Sequence, residues 1–482
     1  MHPDLASRLR NDDNLLARLD RIPINRPILF LIFLLGFVWI LEAFDIGIIA
    51  PVILFLRSEW HLAPSQVGAI GSSGTLGIVL GLLPAGAIAD RYGRKTVLLV
   101  GIVIFSLFTF FSCFSTNVYE LVAMRFIAGL GQGAVFPVPY LLLSEFVNKK
   151  WRGTAVGLSN SVLGFSYALN TLAGFWVLKS FAPAFGWRVL LAIGILPIVV
   201  VPIVWKWLPE SPRFLLKIGR SDVVRNLVER WETVSNLPHD ESLIDPGSLR
   251  VLELTVERRP SIATLLRPPY LQRCFVAFSA LLSPFVVFYV ITIYGPTILT
   301  RMGATKADAL LYTSGLIAVG IITNIAVGPV GDIIGRKTTI FVVMTCAAIS
   351  TILLGQDIPR TATIIVAICV WGFVYAGFPP TKLYQAEQFP TRLRATGSML
   401  GEAVTRFLAG VVLTFFIPMM LASLGLPRLF VILSILTELC VVPIFFFGKQ
   451  TSGISIEESG TDVGALAGSA SSAPATPAAY RH

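Results

Sequence analysis

The stretch Gly86–Lys95, with the sequence GAIADRYGRK, lies between two long apolar segments and returns later as Gly328–Lys337, GPVGDIIGRK. The Asp, the second Gly, the Arg and the Lys of the two copies are all 242 residues apart. The same offset relates three further features: Glu145 to Glu387, Arg152 to Arg394, and Phe136-Pro137 to Phe378-Pro379. The chain is therefore a duplicated unit. A duplicated, strongly apolar chain is typical of membrane transporters built from two pseudo-symmetric halves around a central site.

The composition excludes a soluble protein. Of the 482 residues, 55% are hydrophobic and only 14% are charged, far from the usage of soluble domains. The net charge of +10 comes from Lys and Arg in short loops between apolar runs, which follows the positive-inside rule rather than the pattern of a nucleic-acid-binding surface. The five Cys and four His are scattered without metal-ligand spacing. The sequence thus predicts neither an enzyme nor a metal site nor a nucleic-acid partner.

The apolar pattern predicts twelve transmembrane helices, each long enough to cross a bilayer. Their approximate ranges are 27–56, 65–89, 96–114, 119–145, 153–180, 187–208, 270–299, 308–331, 338–356, 361–387, 395–422 and 428–448. An even number of spans places both termini on the side of the basic loops, which is the cytoplasm. The pairs Gly77/Gly81 and Gly129/Gly133 predict that two helices approach each other closely.

These spans divide the chain into five regions. They are a cytoplasmic N-terminal arm (1–26), a first six-helix half (27–208), a cytoplasmic central loop (209–268), a second six-helix half (269–448) and a cytoplasmic tail (449–482). The arm has no apolar core followed by a cleavage site, so we do not expect a removed signal peptide. The tail is rich in Gly, Ala, Ser and Pro, a composition that predicts disorder. We expect a multi-pass protein of the inner (plasma) membrane.

The motifs resemble the major facilitator superfamily over the whole chain except the tail. The resemblance rests on the two repeated loops, on Glu-x6-Arg after the fourth and tenth spans, and on two branch motifs, Pro209–Arg213 (PESPR) and Glu387–Arg394 (EQFPTRLR). These motifs are typical of the sugar-porter and organic-ion branch, which includes metabolite:proton symporters. The resemblance implies an all-α membrane fold with twelve helices in two pseudo-symmetric halves. It also implies secondary active transport by alternating access, with no cofactor other than the proton gradient.

The repeated loops predict a gate. An acid at the end of one helix, next to cations of its loop, can form ion pairs that must break when that side of the protein opens. The alternative is that the charges only fix topology. An acid favours gating, because a topology signal needs only cations. The candidate gating residues are Asp90, Arg91, Arg94, Glu145, Arg152, Asp332, Arg336, Glu387 and Arg394.

Two acids inside the first span predict proton coupling. Glu42 and Asp45 are three residues apart and share one helical face, and an acid inside a membrane is a functional candidate that needs a partner. Similar proton-linked sugar porters pair a first-span Asp with a fourth-span Arg at the matching positions, so the resemblance implies Arg125 as the partner. Protonation of Asp45 would neutralise half of the pair and free the Arg. The alternative is a static ion pair between two helices.

Two cations of the second half decide the substrate class. Lys382 stands where the similar sugar porters carry a cavity Trp, and Arg406 stands where the similar organic-anion transporters carry a substrate-linked Arg. Snorkelling of Lys382 and helix packing by Arg406 are the alternatives. At the polar positions of sugar porters this chain has Ser283, Pro284 and Tyr289 in the seventh span and Asn160 in the fifth, which argues against a hexose. The remaining candidate substrate-binding residues are Tyr289, Asn160, Trp39, Tyr140 and Tyr384.

Together these features predict a monomeric transporter that imports a small organic anion with protons. An aromatic or heteroaromatic carboxylate fits best, because the candidate cavity has flat apolar walls and few partners for hydroxyl groups. The alternatives are a sugar or polyol proton symporter, drug or metabolite efflux by the same fold, and a non-transporting nutrient sensor. The short Ala- and Ser-rich tail does not resemble a signalling extension, which argues against the sensor.

Overall fold

The structure is a computed structural model that describes residues 3–148, 151, 155, 163–239, 262–265, 267–268, 270–389 and 391–448. Over these ranges the chain forms helices joined by short turns, with no strand. The predicted tail, 449–482, lies outside the described residues. The all-α membrane fold expected from the sequence is confirmed.

The described residues between 3 and 239 form twelve α-helices. They are α1 (Pro3–Arg21), α2 (Arg26–Gly47), α3 (Ile49–Glu59), α4 (Pro64–Tyr92), α5 (Arg94–Ser112), α6 (Val118–Val135), α7 (Val138–Phe146), α8 (Leu163–Ser180), α9 (Pro183–Ile193), α10 (Val200–Trp207), α11 (Pro212–Lys217) and α12 (Ser221–Val234). A 3₁₀ turn, Leu196–Val199, connects α9 to α10.

The second half repeats this order. Its helices are α13 (Ile262–Leu265), α14 (Tyr270–Arg301), α15 (Lys306–Ile334), α16 (Arg336–Leu354), α17 (Arg360–Ala376), α18 (Phe378–Glu387), α19 (Thr391–Thr405), α20 (Thr414–Ser423) and α21 (Gly425–Phe447). A π-helical stretch, Arg406–Leu413, joins α19 to α20. Within the described residues, eleven helical segments are long and apolar enough to cross a membrane, and they match eleven predicted spans. At the predicted fifth span, 153–180, the structure has α8, while most of the residues before it lie outside the described ranges.

The repeated loops have the same backbone in both halves. Helix α4 ends at Tyr92 and α15 ends at Ile334, and the next residues, Gly93 and Gly335, have φ values of +96° and +90°. Residues with a side chain rarely adopt this conformation, because Cβ then crowds the backbone. A glycine at this position therefore lets the chain reverse direction and begin the next helix at once, in each half.

Close packing of α4 on α6 depends on the glycine pairs seen in the sequence. A Cβ atom would lie 2.2 Å from a carbonyl oxygen of α6 if placed at Gly77, and 2.3 Å from one if placed at Gly81. On α6, a Cβ atom would lie 2.1 Å from a carbonyl oxygen of α4 at Gly129 and 2.3 Å from one at Gly133. No side chain fits at such distances, so the two backbones touch directly. The predicted close approach is confirmed.

In the described residues, the sixth transmembrane helix contains the 3₁₀ turn Leu196–Val199, and four others are interrupted as well. These four break at Ile48 in the first, at Phe136-Pro137 in the fourth, at Gly377 in the tenth and at the π-helical stretch in the eleventh. Proline explains two of these breaks, since it lacks the N–H that an α-helix needs. π-Helical turns often occur at functional sites. Each of these four breaks lies within a few residues of a charged or aromatic side chain of the site described below.

The two halves meet unevenly along α4. We call the end of the bundle with the repeated loops the loop face, and the opposite end the far face. Near the far face, a Cβ atom at Gly68 would lie 2.1 Å from the Phe415 carbonyl oxygen, and one at Gly71 would lie 2.6 Å from the Tyr294 hydroxyl. Near the loop face, the nearest atom to a Cβ at Gly86 is 4.0 Å away. Along this helix the halves are therefore packed tightly at the far face and loosely at the loop face.

Candidate functional site

An ion pair between the first and fourth spans lies at the centre of the first half. Arg125 on α6 donates to both carboxylate oxygens of Asp45 on α2, at 3.2 and 3.1 Å, and also to the Asp45 backbone oxygen at 3.0 Å. Gln132 donates to the same carboxylate, and Thr109 accepts from Arg125 at 3.0 Å. Both charged side chains are buried. The structure thus brings together the two residues that the resemblance paired. Both carboxylate oxygens of Asp45 accept hydrogen bonds, whereas Arg125 Nε is buried without a hydrogen-bond partner among the described residues.

Glu42 is placed differently from Asp45. It is buried one helical turn earlier, and its Oε1 atom has no hydrogen-bond partner. It interacts electrostatically with Arg406 and with Asp45. A buried carboxylate oxygen without a donor is costly when it is ionised. The electrostatic interactions of Glu42 thus involve charged groups of both halves.

Arg406 and Lys382 lie together in the second half, joined by an acid. Lys382 Nζ is 3.3 Å from Glu402 Oε1, and Arg406 Nε is 3.3 Å from Glu402 Oε2. Arg406 is the first residue of the π-helical stretch, and Lys382 is on α18 beside the break at Gly377. The Glu402 carboxylate therefore bridges the two cations that the sequence assigned to the substrate.

Aromatic rings surround the Arg406 guanidinium. Its Cζ lies 4.2 Å from the centre of the Phe136 ring, and the Tyr289 hydroxyl is 3.4 Å from its Nη1 atom. Trp39 lies behind these rings, where its Nε1 donates to the Phe136 backbone oxygen at 3.3 Å and its ring centre is 4.2 Å from that of Tyr140. Flat rings on a buried cation form a site for a planar, negatively charged group.

The charged groups of the second half open onto a cavity of about 100 Å³. Its lining residues are Gly164, Tyr167, Phe285, Phe288, Ile321, Asn324, Tyr375, Phe378, Lys382 and Arg406. The volume is below the roughly 300–1,000 Å³ of drug-sized ligand pockets, so it favours a small ligand. A larger apolar space of about 570 Å³ lies among α4, α6 and the last part of the eleventh span, but no charged side chain lines it. We therefore assign the site to the smaller cavity.

Of the remaining predicted substrate residues, Asn160 is outside the described residues, and Tyr384 does not line the cavity. Tyr384 is buried beside the last helix, where its hydroxyl would lie 2.3 Å from a Cβ atom at Gly448. Lys382 and Tyr384 are two residues apart on α18, so they point to nearly opposite sides of the helix. Tyr384 therefore packs against α21 and does not line the cavity with Lys382.

The gating candidates form one ion cluster in each half at the loop face. Arg94 lies 2.9 Å from Glu145 and 3.7 Å from Asp90, and Ser211 of the PESPR motif also donates to Glu145. Arg336 pairs with Glu387 at the equivalent place in the second half. In the part of the chain that the structure describes, the ion pairs of Arg94 and of Arg336 each stay within one half.

The other gating candidates have different surroundings or lie outside the described residues. Arg91 is exposed and stacks on Tyr92 at 5.3 Å, and Arg394 donates to the Ala386 backbone oxygen at 3.1 Å. Arg152 and the side chain of Asp332 lie outside what the structure describes. Glu210 of the PESPR motif, which the sequence did not single out for gating, accepts from the backbone N–H groups of Arg94 and Lys95 at 2.9 and 3.1 Å. A carboxylate at a helix N-terminus is a stabilising cap, so the motif anchors the start of α5.

Sequence reasoning missed Glu402. A signal was present, since Glu402 is an acid inside a predicted span, four residues before Arg406 and therefore on the same helical face. It also missed Asn324, a polar side chain of the cavity that donates to the Tyr375 backbone oxygen at 2.9 Å. Glu402 belongs to the eleventh span and Asn324 to the eighth. The periodicity of one span does not show which of its residues face the other spans around the cavity.

Residues 31–462 match the family described as "Sugar (and other) transporter". The chain belongs to this family, a branch of the major facilitator superfamily. It is 29% identical over 455 residues to the niacin transporter NiaP of Acinetobacter baylyi, covering 93% of this chain and 100% of that one. It is 30% identical over 407 residues to the 4-hydroxybenzoate transporter PcaK of Pseudomonas aeruginosa, covering 84% and 87% of the two chains.

The fold agrees with solved transporter structures. The xylose transporter XylE of Escherichia coli, in a partially occluded inward-open conformation, matches with a TM-score of 0.72 at 17% identity, over 89% of this chain and 99% of that one. The chain is thus a multi-pass membrane transporter of the major facilitator superfamily, and the expectation that it is not an enzyme is confirmed.

Proposed function

We propose that this transporter imports a small aromatic or heteroaromatic carboxylate together with protons. The observation that carries the proposal is the aromatic-lined cavity with two cations, Lys382 and Arg406, on its wall. A carboxylate that enters the membrane loses most of its hydration and needs a fixed cation to receive it. The planar guanidinium of Arg406 matches a carboxylate in shape, and the rings beside it match a flat ligand.

Proton coupling is assigned to the Asp45–Arg125 pair. When Asp45 takes a proton, the attraction that holds Arg125 to it is lost, and the helices α2 and α6 can separate or rotate. Glu42 is the second candidate, because it is a buried acid without a donor to Oε1 among the described residues and interacts electrostatically with both Arg406 and Asp45. The proton gradient then drives the cycle, as the resemblance to proton-linked porters implies, and no cofactor is required.

Relatives and lining residues both favour a carboxylate over a sugar. The names of the relatives NiaP and PcaK refer to niacin and 4-hydroxybenzoate, each of which has a ring and a carboxylate, whereas XylE is named for a sugar. Ser283 stands where sugar porters carry a polar cavity residue, but its hydroxyl donates to the Ala280 oxygen of its own helix at 2.8 Å. A sugar or polyol remains the second candidate, and efflux by the same fold the third.

The orientation follows from the charges. Basic residues of the loop face, among them Lys95, Lys217 and Lys337, place that face in the cytoplasm under the positive-inside rule. Both termini would then lie in the cytoplasm, and the far face would open to the periplasm or the exterior. We further infer an inner (plasma) membrane location and a monomer, because the cavity belongs to a single chain.

The test compares a carboxylate with its neutral amide. Purified wild type, Arg406→Ala, Arg406→Lys and Lys382→Ala are assayed for binding of benzoate against benzamide and of nicotinate against nicotinamide. Loss of a charged partner from a desolvated pair costs about 3–5 kcal/mol, so Arg406→Ala should weaken acid binding by hundreds-fold or more. Arg406→Lys should recover part of it, because the two-pronged donor is lost.

The matched control is Lys179→Ala. Lys179 is an exposed cation at the end of α8 that stacks on Phe175 and is not part of the cavity. It should leave binding of both ligands unchanged. If the Arg406 and Lys382 variants weaken the amides as much as the acids, the two cations are structural and the assignment to organic anions is wrong.

A further inference from the structure

Glu402 occupies the position that a substrate carboxylate needs. Its two oxygens contact one cation each, Oε1 with Lys382 and Oε2 with Arg406, both at 3.3 Å. A bound carboxylate would use the same two donors. The side chain of Glu402 is 14% exposed and that of Arg406 is 9% exposed, so water does not replace a missing partner well at this place.

The site has six ionisable side chains, three acids and three bases: Glu42, Asp45, Arg125, Lys382, Glu402 and Arg406. Their charges balance without a ligand when all six are ionised. An anionic ligand that entered with all six ionised would leave one buried negative charge without a partner. Such a charge is prohibitive in a membrane interior. Anion binding therefore requires that one acid of the site gains a proton.

Direct contact favours Glu402 as that acid. Lys382 on α18 contacts one oxygen of Glu402, and Arg406, four residues further along the chain, contacts the other. Glu42 is the other candidate, but it interacts with Arg406 only electrostatically and has a carboxylate oxygen without a hydrogen bond within the described residues. Both cations that can receive a substrate are thus held by one carboxylate, and neither is released unless that carboxylate loses its charge or moves.

We propose that Glu402 is an internal counter-ion that a substrate carboxylate displaces from Lys382 and Arg406, and that it takes up one proton as the substrate binds. The proposal rests on the organic-anion function given above and adds a second proton site, in the second half. The proton comes from the aqueous side to which the cavity opens. It binds the Glu402 carboxylate, and the charge of the substrate replaces that of Glu402 on the two cations.

The surroundings of Glu402 contain no other acid that the two cations contact directly, among the described residues. Lys382 faces it from α18, Tyr140 from α7, Tyr289 from α14 and Arg406 from the same span. Glu42 reaches the cluster through its electrostatic interaction with Arg406. Tyr140 and Tyr289 are neutral and can donate a hydrogen bond to Glu402 whether its carboxyl group is ionised or protonated. A change in the charge of this group of contacts therefore occurs at Glu402.

This arrangement also limits proton leak. If Glu402 were protonated without substrate, Lys382 and Arg406 would lose their bridging partner inside the membrane, which is unfavourable. If substrate entered without a proton, two carboxylates would compete for the same donors. The empty carrier with ionised Glu402 and the loaded carrier with neutral Glu402 are therefore the two favourable states, and proton and anion move together.

The experiment measures how binding depends on pH. Dissociation constants of benzoate and nicotinate are determined for wild type, Glu402→Gln and Glu438→Gln, from acidic to alkaline pH. If binding takes up one proton, wild-type affinity falls about tenfold per pH unit wherever Glu402 is ionised in the empty carrier. Glu402→Gln should bind with little pH dependence and more tightly than wild type at alkaline pH. Glu438→Gln removes an acid of α21 whose Oε1 is buried without a hydrogen bond, and it should match wild type.

A second measurement needs no variant of the site. Wild-type protein in weak buffer should take up about one proton for each carboxylate bound, and none with benzamide. Equal pH dependence in wild type and Glu402→Gln, or binding by wild type without proton uptake, would overturn the role of Glu402 and leave organic-anion transport intact. Binding of neither carboxylate by wild type at any pH would overturn the proposed function, and the role of Glu402 with it.

Discussion

Asp45 is held by donors from two residues of α6, and its partner Arg125 also contacts α5. We expect Asp45→Asn, which imitates the protonated acid, to abolish uptake against a gradient and to retain exchange of substrate across the membrane. Accumulation needs the change of charge, whereas exchange needs only the moving site. Uptake and counterflow in proteoliposomes measure the two activities separately. Glu59→Gln is the control, since Glu59 lies at the end of α3 and accepts from Trp187 at 3.1 Å. Equal loss of both activities in a folded protein would mean that Asp45 is structural.

At the level of single residues, physical reasoning indicated the buried acid and the resemblance supplied its partner. An acid inside a membrane span needs a partner, and the matching positions of similar proton-linked porters imply Arg125 for Asp45. The bridge from Glu402 to Lys382 could not be predicted, because the sequence does not show which residues of α18 and α19 face each other. Tyr384 is expected among the flat rings of the cavity, but it lies two residues from Lys382 and points to the opposite side of α18.

At the level of helices, the close contact of α4 with α6 can be tested by a Gly→Ala variant, with a Gly→Ala variant elsewhere as the control. We expect Gly129→Ala to lower the thermal stability of the purified protein, because the new Cβ atom would lie 2.1 Å from the Gly74 carbonyl oxygen and must push the helices apart. In Gly315→Ala, the new Cβ atom on α15 meets no atom within 4 Å. That variant should be neutral, or more stable by up to about 1 kcal/mol from helix propensity. Similar melting temperatures for both variants would contradict the close packing of α4 on α6.

The arm helix α1 is fixed by a buried ion cluster outside the membrane. Glu232 on α12 accepts from Arg18 at 2.6 and 3.1 Å and from Arg21 at 2.7 Å, and His239 lies 2.8 Å from it. Burial by itself raises the pKa of Glu232, but the hydrogen bonds from Arg18, His239 and Arg21 outweigh it and lower that pKa from 4.5 to about 2. Because the folded-state pKa is the lower one, the stabilisation is present above the unfolded pKa near 4.5 and is lost as the pH falls toward 2.

The same cluster predicts the effect of Glu232→Gln at neutral pH. The variant leaves Arg18 buried without its charged partner, so α1 should detach from α12 and become open to trypsin at Arg18 and Arg21. Glu229→Gln, on the same helix but without a contact to the arm among the described residues, should remain as resistant as wild type. Equal cleavage rates in wild type and Glu232→Gln would mean that the apolar contacts of α1 hold the arm without the ion pairs.

For the whole molecule, the duplication predicted the fold, but it did not predict which face of the transporter is closed in this structure. The offset of 242 residues, visible in the loops, also relates the bounds of α4 and α5 to those of α15 and α16. One sequence must encode every state of an alternating-access cycle, so it cannot show which face is closed. The tight contact of Gly68 with Phe415 at the far face, and the ion pairs that stay within each half at the loop face, are properties of one state.

Variants at the loop face can distinguish two roles for the charges of the repeated loop, gating and the fixing of topology. Arg91 and Arg94 are two cations of one loop, but Arg94 is paired with Glu145 and Asp90, whereas Arg91 is exposed and stacks on Tyr92. If the loop only fixes topology, Arg91→Gln and Arg94→Gln remove equal charge and should have equal effects. If it is a gate, Arg94→Gln should slow transport at least about tenfold, because it breaks a partly buried ion network that forms and breaks in each cycle.

Transport rates, normalised to the amount of inserted protein, decide between these two roles. Under the gating interpretation Arg91→Gln transports nearly as wild type, and Asp90→Asn, Asp332→Asn and Glu145→Gln are slowed with normal insertion. Exchanging the partners, Arg94→Glu with Glu145→Arg, should restore part of the rate that either single change removes, because the pair is rebuilt with its charges reversed. The exchange keeps the number of cations at the loop face, so the inserted amount, which is measured separately, should match wild type. Equal transport by the Arg91 and Arg94 variants, without recovery in the exchanged protein, would remove the gate from this face.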